Sequence, residues 1–277
     1  MKQILSQDNK IFKACSQLKQ KKNRDKVGKY LIEGPNLVAD ALRSGAVIEL
    51  LLVSERSMEH EEIKQLCREY ARLDKKNEGS VYVLDEKLFK KLTETETPQG
   101  IFGVVAKTKI SEEEFFRGNF RDKFDDSPRT KGNIIVLDRL QDPGNVGTII
   151  RTAEAAGYDG IMILKGTVDL YSPKVVRSCT GSLFRMPVFF VDQPDEAISM
   201  LRKHGKKVVS TGLKDSKYYH EVELKKDVAI VIGNEGNGIC EEFMHNSDVV
   251  VKIPMVGQIE SLNASVAAAI LMYEAVK

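Results

Sequence analysis

The segment Lys252-Ile-Pro-Met-Val-Gly-Gln-Ile-Glu-Ser-Leu-Asn-Ala-Ser-Val-Ala-Ala-Ala-Ile-Leu-Met-Tyr-Glu-Ala275 combines a strand, a turn and a helix. The β-rich run Val249 to Ile253 is stopped by Pro254 and crosses a turn at Gly257. After Ser261-Leu262-Asn263 an Ala-rich apolar segment of strong helix formers predicts a helix running almost to residue 277. Ser261, Asn263 and Ser265 fall at its start, where unpaired backbone N–H groups gather. Taken alone, this is a capped core helix, with Val266, Ala269 and Ile270 packing inward.

Upstream the same alternation repeats. Strands are expected at 134–137, 160–164, 188–191, 207–211, 228–232 and 249–253, with helices at 145–156, 173–181 and 195–204. Short apolar runs separated by helices predict a largely parallel sheet buried on both faces. Such sheets bind ligands at the carboxyl ends of their strands, so the loops after Leu137, Thr211, Ile232 and Ile253 are the informative ones.

Residues 1–107 read as a smaller α/β sandwich, with strands near 30–32, 47–53, 81–84 and 101–106 and helices near 36–44, 59–73 and 86–92. A basic amphipathic helix over 11–22, with Phe12, Cys15 and Leu18 as its stripe, precedes it. Residues 108–132, with Asp125-Asp-Ser-Pro128, read as a partly helical linker, and 133–277 as the second domain. The 277 residues carry a net charge of +2, yet residues 1–29 hold nine Lys or Arg against Asp8 and Asp25. A basic N-terminal arm of that kind suits an anionic partner, nucleic acid before membrane. Four scattered cysteines without a CxxC pair or zinc spacing argue for reduced thiols and against a metal site. No apolar run is long enough to span a membrane, and a cytoplasmic location is expected.

Three loops could carry chemistry. Asp142-Pro-Gly-Asn145 is turn chemistry with Asn145 placed as a helix cap, and Arg151 lies six residues on, off the Asn145 face. Arg151 either snorkels to solvent or holds a phosphate or developing oxyanion. Gly233-Asn-Glu-Gly-Asn-Gly238 has neither dinucleotide spacing nor the GK[ST] of a P-loop; its glycines let backbone approach a ligand, with Glu235 held in the loop. Arg177, in Lys174-Val-Val-Arg177, is either a phosphate contact or a solvated charge. HExxH and GxSxG motifs are missing, which argues against a hydrolase.

Together these segments resemble the SpoU/TrmH-type RNA ribose 2′-O-methyltransferases of the SPOUT class. Asn145-Val-Gly-Thr-Ile-Ile-Arg151, Ile232-Gly-Asn-Glu-Gly-Asn-Gly-Ile239, and Ile253-Pro-Met-Val-Gly257 with Ser261-Leu-Asn-Ala-Ser-Val266 match its three motifs in order and spacing. Leu31-Ile-Glu-Gly34 and Pro98-Gln-Gly-Ile101 are similar to the L30e-like substrate-binding domain that often precedes it, with Pro98 where relatives commonly have His. The resemblance implies a C-terminal trefoil knot, S-adenosylmethionine as cofactor, a homodimer, and RNA as partner, ribosomal RNA favoured over tRNA. It places the cofactor against Thr211, Gly212, Gly233, Ile253 and Leu262, Arg151 on the ribose, and Asn145, Glu235, Ser261 and Asn263 around the site. The alternatives are a tRNA ribose methyltransferase and an inactive RNA-binding or ribosome-assembly factor on the same scaffold.

Overall fold

The computed structural model describes residues 1–73, 80–117 and 132–277. The chain divides into two compact units, residues 1–108 with 171–184, and residues 109–170 with 185–277.

In the first unit the chain runs β1 (Lys2–Ile4), α1 (Lys10–Gln17), α2 (Lys21–Val27), β2 (Lys29–Glu33), α3 (Pro35–Arg43) and β3 (Ile48–Ser54). It continues through α4 (Glu61–Leu73), β4 (Val81–Leu84), α5 (Glu86–Leu92) and β5 (Ile101–Ala106). The sheet order is β1-β4-β3-β5-β2, with β1, β4 and β3 parallel and β5 antiparallel to both its neighbours. The first 29 residues are therefore no free arm. β1 adds an edge strand, and Phe12, Cys15 and Leu18 are buried in a core with Leu52, Phe89 and Phe102. The helix expected over 11–22 is broken in two. Asn9 caps α1 through its side-chain oxygen, and the buried Arg24 guanidinium on α2 donates to the Leu18 and Lys19 carbonyls at the end of α1, 2.7 and 2.6 Å away. Glu33, at the end of β2, accepts from the hydroxyls of Thr93 and Thr95 at 2.7 and 3.0 Å. Gly34 takes φ +107°, and the Gln99 side-chain oxygen fills the space a Cβ there would need. The two first-half motifs thus meet at one sheet end.

The second unit contains α6 (Glu112–Arg117), β6 (Ile134–Asp138), α7 (Pro143–Ala155), β7 (Gly160–Leu164), β8 (Val188–Val191) and α9 (Pro194–Lys203), while α8 (Pro173–Ser178), between β7 and β8 in sequence, belongs to the first unit. There follow β9 (Lys207–Thr211), β10 (Lys217–Tyr218), β11 (Val228–Gly233), α10 (Glu241–Asn246), β12 (Val249–Lys252) and α11 (Ala264–Glu274). The order is β10-β12-β9-β11-β6-β7-β8, and every pairing is parallel. Ile134, Val136, Met162, Leu164, Val191, Val208, Ala229 and Val231 form the sheet's share of one core, against which Leu201 and Phe243 pack. Part of the expected linker is helix: Phe115 on α6 is buried against Gly160, where any Cβ would meet its ring at 2.4 Å. Asp125-Asp-Ser-Pro128 lies outside the described residues.

α11 corrects one expectation. Its buried residues are Ser265, Ala268, Leu271 and Met272, whereas Val266 is 46% exposed. The helix is apolar on all sides, so periodicity offers no way to choose its inward face.

Candidate active site

Strand order reverses at β6. β7 and β8 lie on one side of it, while β11, β9, β12 and β10 lie on the other. A crevice opens at such a switch point, beyond the carboxyl ends of the two strands that flank it. Those strands are β6 and β11, whose last residues, Asp138 and Gly233, are paired.

After β6 the chain turns at Arg139 with φ +57°. The fully buried Asp138 carboxylate holds that turn: it takes two guanidinium bonds from Arg139, at 2.7 and 3.1 Å, and the Cys240 N–H at 2.7 Å. The cap of α7 is Asp142, which accepts the Asn145 N–H at 2.8 Å, and not Asn145 as the sequence suggested. Pro143 explains the shift. Its fixed φ suits the first helical position, which moves the cap to the residue before it. Asn145 is thereby released from capping, and its buried amide faces the neighbouring loop.

That loop is a tight reversal after β11. Asn234 and Gly238 exchange backbone bonds of 3.1 and 2.9 Å, and the Asn234 side chain accepts from the N–H groups of Gly236 and Asn237 while donating to the Arg139 carbonyl. Gly233 is required here, since a Cβ would lie 2.4 Å from the Gly238 carbonyl carbon and the Ile239 nitrogen. Glu235 projects from the reversal onto the start of α7. Its carboxylate accepts from the Gln141 N–H at 3.0 Å, the Asp142 N–H at 3.1 Å and the Asn145 side-chain amide at 3.0 Å. Burial works to raise this carboxyl, but the Asn145 amide and the backbone N–H groups outweigh it and hold it below the usual carboxylate range.

The third wall comes from the other end of the sequence. Asn263 caps α11, accepting from the Ser265 and Val266 N–H groups at 2.9 and 3.3 Å and from the Ser265 hydroxyl at 2.7 Å. Its amide nitrogen donates to the Asn145 side-chain oxygen at 2.9 Å. One relay therefore runs Glu235, Asn145, Asn263, α11, across 118 residues of sequence. The orientation is self-consistent. Asn145 gives its N–H to the carboxylate and its oxygen to Asn263, so neither amide has a free choice of flip.

Arg151 and Ser261 stand apart from this relay. Both are exposed, and neither side chain makes a hydrogen bond or ion pair among the described residues. Thr211, Gly212, Gly233 and Ile253 lie together, at or just past the ends of β9, β11 and β12, which are neighbours in the sheet. The Thr211 hydroxyl donates to the Val231 carbonyl, and the Gly212 N–H to the Val251 carbonyl. Leu262 stands one residue before the α11 cap. This rim offers backbone polar groups and half-buried aliphatic side chains without a fixed charge, which suits the adenine and ribose of a nucleoside cofactor. Sequence reasoning missed the Asp138–Arg139–Cys240 clasp and the Gln141 and Asp142 N–H groups. An acid ending an apolar strand was the available signal for the first; backbone donors leave none. Among the described residues no group of three or more His, Cys, Asp or Glu could hold a metal, and no helix is long and apolar enough to cross a membrane.

A parallel sheet whose switch-point loops converge on a neutral rim and a polar relay fits the class of nucleoside-binding α/β enzymes. Comparison with known proteins narrows the class. Residues 132–273 match the SpoU rRNA Methylase family, and residues 9–103 the MRM3-like substrate binding domain. The chain is 36% identical over 273 residues to the 23S rRNA (guanosine(2553)-2′-O)-methyltransferase RlmP of Bacillus subtilis, covering 99% of this chain and 98% of that one. The AdoMet-bound rRNA methyltransferase from Sinorhizobium meliloti superposes with a TM-score of 0.83 at 32% identity, covering 99% and 97%. The SpoU methyltransferase AviRb from Streptomyces viridochromogenes, in complex with the cofactor AdoMet, gives 0.81 at 27%, covering 97% of each. The chain belongs to the SpoU rRNA methylase family and is a methyltransferase.

Proposed function

We propose that the protein transfers a methyl group from S-adenosylmethionine to a ribose 2′-hydroxyl of large-subunit ribosomal RNA in the cytoplasm. The observation that carries this is the relay Glu235–Asn145–Asn263, which ties all three motif loops together beyond the carboxyl ends of the sheet. Near-complete mutual coverage with the 23S enzyme of Bacillus subtilis supports the choice of RNA. Residues 133–277 are the catalytic domain in this reading, residues 1–107 grip the RNA, and the chain works as a homodimer with a knotted C-terminal segment.

The cofactor, when bound, supplies a methyl group already activated on a sulfonium. The protein's task is to bring the 2′-oxygen into line and to stabilise it as its proton leaves. Thr211, Gly212, Gly233, Ile253 and Leu262 hold the cofactor. Arg151, exposed and unpaired among the described residues, is free to place its guanidinium on the developing oxyanion. An arginine is no base, so the proton passes to water or a substrate phosphate. Glu235 is a positioning residue: its carboxyl is held ionised, and both of its oxygens already accept bonds. Asn263 and Ser261 shape the wall beside it.

The test is ribose-methylation mapping of ribosomal and transfer RNA from cells with and without the gene. Loss of one 2′-O-methyl mark in 23S rRNA is expected. Loss confined to tRNA redirects the substrate, and no change in either overturns the reading. With purified protein, Arg151→Ala should lower kcat by roughly 10²–10³-fold while cofactor affinity stays put.

A further inference from the structure

In the first unit, α1 and α2 cover a cavity of about 320 Å³ that opens to the surface. That volume falls within the range of clefts built to take small ligands. Its floor is aliphatic and uncharged: Cys15, Leu18, Leu50 and Val104 line it, and burial pushes the Cys15 thiol up to about 12. Its exposed lining is mixed, with Gln17 and Lys26 beside the apolar Ala14 and Val27.

Charge at the mouth has a definite sign. Glu49, the one acid among the described lining residues, is neutralised by Lys29 at 2.5 Å. Of the cations in residues 1–29, Arg24 and Lys19 are spent on backbone carbonyls and Lys13 on Asp8. Lys2, Lys10, Lys21, Lys22 and Lys26 remain exposed and unpaired among the described residues, and Lys22 and Lys26 lie one helical turn apart on α2. Of these Lys26 lines the cavity and Lys22 precedes it by one turn on the same helix, so part of the uncommitted positive charge lies at the cavity and beside it. A free mononucleotide would meet the cavity and one lysine; a polyanion would also meet the second.

We propose that this cavity takes one unstacked nucleobase of the RNA substrate, its face on the aliphatic floor, while Lys22 and Lys26 contact the flanking phosphates. The inference rests on the reading that RNA is the substrate. Bases extruded from the stack are held in other proteins between aromatic or apolar side chains in the same manner.

The experiment measures binding of a mixed-sequence 12-nucleotide single-stranded RNA to the full chain by fluorescence anisotropy, beside an abasic strand of equal length. Ala14→Phe, which fills the cavity from its exposed mouth, should weaken the intact strand about ten-fold and leave the abasic strand unchanged. Lys26→Ala should weaken both and lower the slope of log affinity against log salt by about one. Thermal melting checks that each variant is folded, and Lys26→Ala lies on the surface should Ala14→Phe fail that check. Equal affinity of wild type and both folded variants overturns the proposal, as does equal weakening of intact and abasic strands by Ala14→Phe. If the cavity variants behave as expected but the wild type methylates no RNA, the cavity stands and the catalytic reading falls.

Discussion

Gly233 shows how little freedom the site leaves at single positions. Its backbone needs no left-handed conformation; what excludes a side chain is the Gly238–Ile239 backbone 2.4 Å from where a Cβ would sit. Gly233→Ala must therefore pry open the reversal that presents Glu235. A loss of about 2 kcal/mol in stability is expected, with cofactor affinity lost as well, read by chemical denaturation and calorimetry. Glu235 makes a different prediction, about pH. Its folded carboxyl titrates below the ordinary value, so its stabilisation is complete above that value and disappears as pH falls through the lowered one. Wild type should thus exceed Glu235→Gln by up to about 1 kcal/mol at pH 7, a modest figure because the side chain is largely exposed. The gap should close below about pH 4, which melting curves at several pH values will show. A gap that widens in acid would mean the carboxyl is not held ionised.

At the scale of elements, Asn263 serves two roles that substitution can separate. Asn263→Ala removes both the α11 cap and the bond to Asn145, and should cost about 1–2 kcal/mol. Asn263→Ser keeps a capping oxygen but has no amide to reach Asn145. Its melting temperature should stay within a few degrees of wild type while cofactor affinity falls several-fold, a split that simple helix damage would not give. The strand bounds were legible in the sequence: 160–164, 188–191 and 207–211 are where apolar runs placed them. Asn263 and Ser265 at a helix start were legible too, because capping is local chemistry. The α7 cap was misplaced by three residues, since Pro143 outweighed Asn145 as a start signal. The break between α1 and α2 was hidden for a further reason. It is held by Arg24, and a buried arginine bonded to carbonyls counts in sequence as one more surface cation.

At the scale of the molecule, the relay itself was beyond local reading. Asn145, Glu235 and Asn263 could be picked out one by one, but only the strand order places their loops side by side. The same order leaves α11 with an apolar face that its own unit does not cover. Val266 and Tyr273, seven residues and so two turns apart, are 46% and 49% exposed, while Ala268, Leu271 and Met272 on another face are buried. Scattered apolar residues on a surface need no explanation, but two aligned along one helix suit a surface that a partner could cover. The homodimer proposed above gives that stripe a partner, since a two-fold axis can lay one patch against its own copy. Val266→Asp with Tyr273→Asp puts two carboxylates on the stripe without touching the buried face. Sedimentation at micromolar concentration should then show a dimer for the wild type and a monomer for the double variant, with the circular dichroism of both alike. The distance from the stripe to the cap is short: Val266 donates its N–H to Asn263. Dimer loss should therefore also weaken cofactor binding, and a monomeric variant of undiminished affinity would separate assembly from the site.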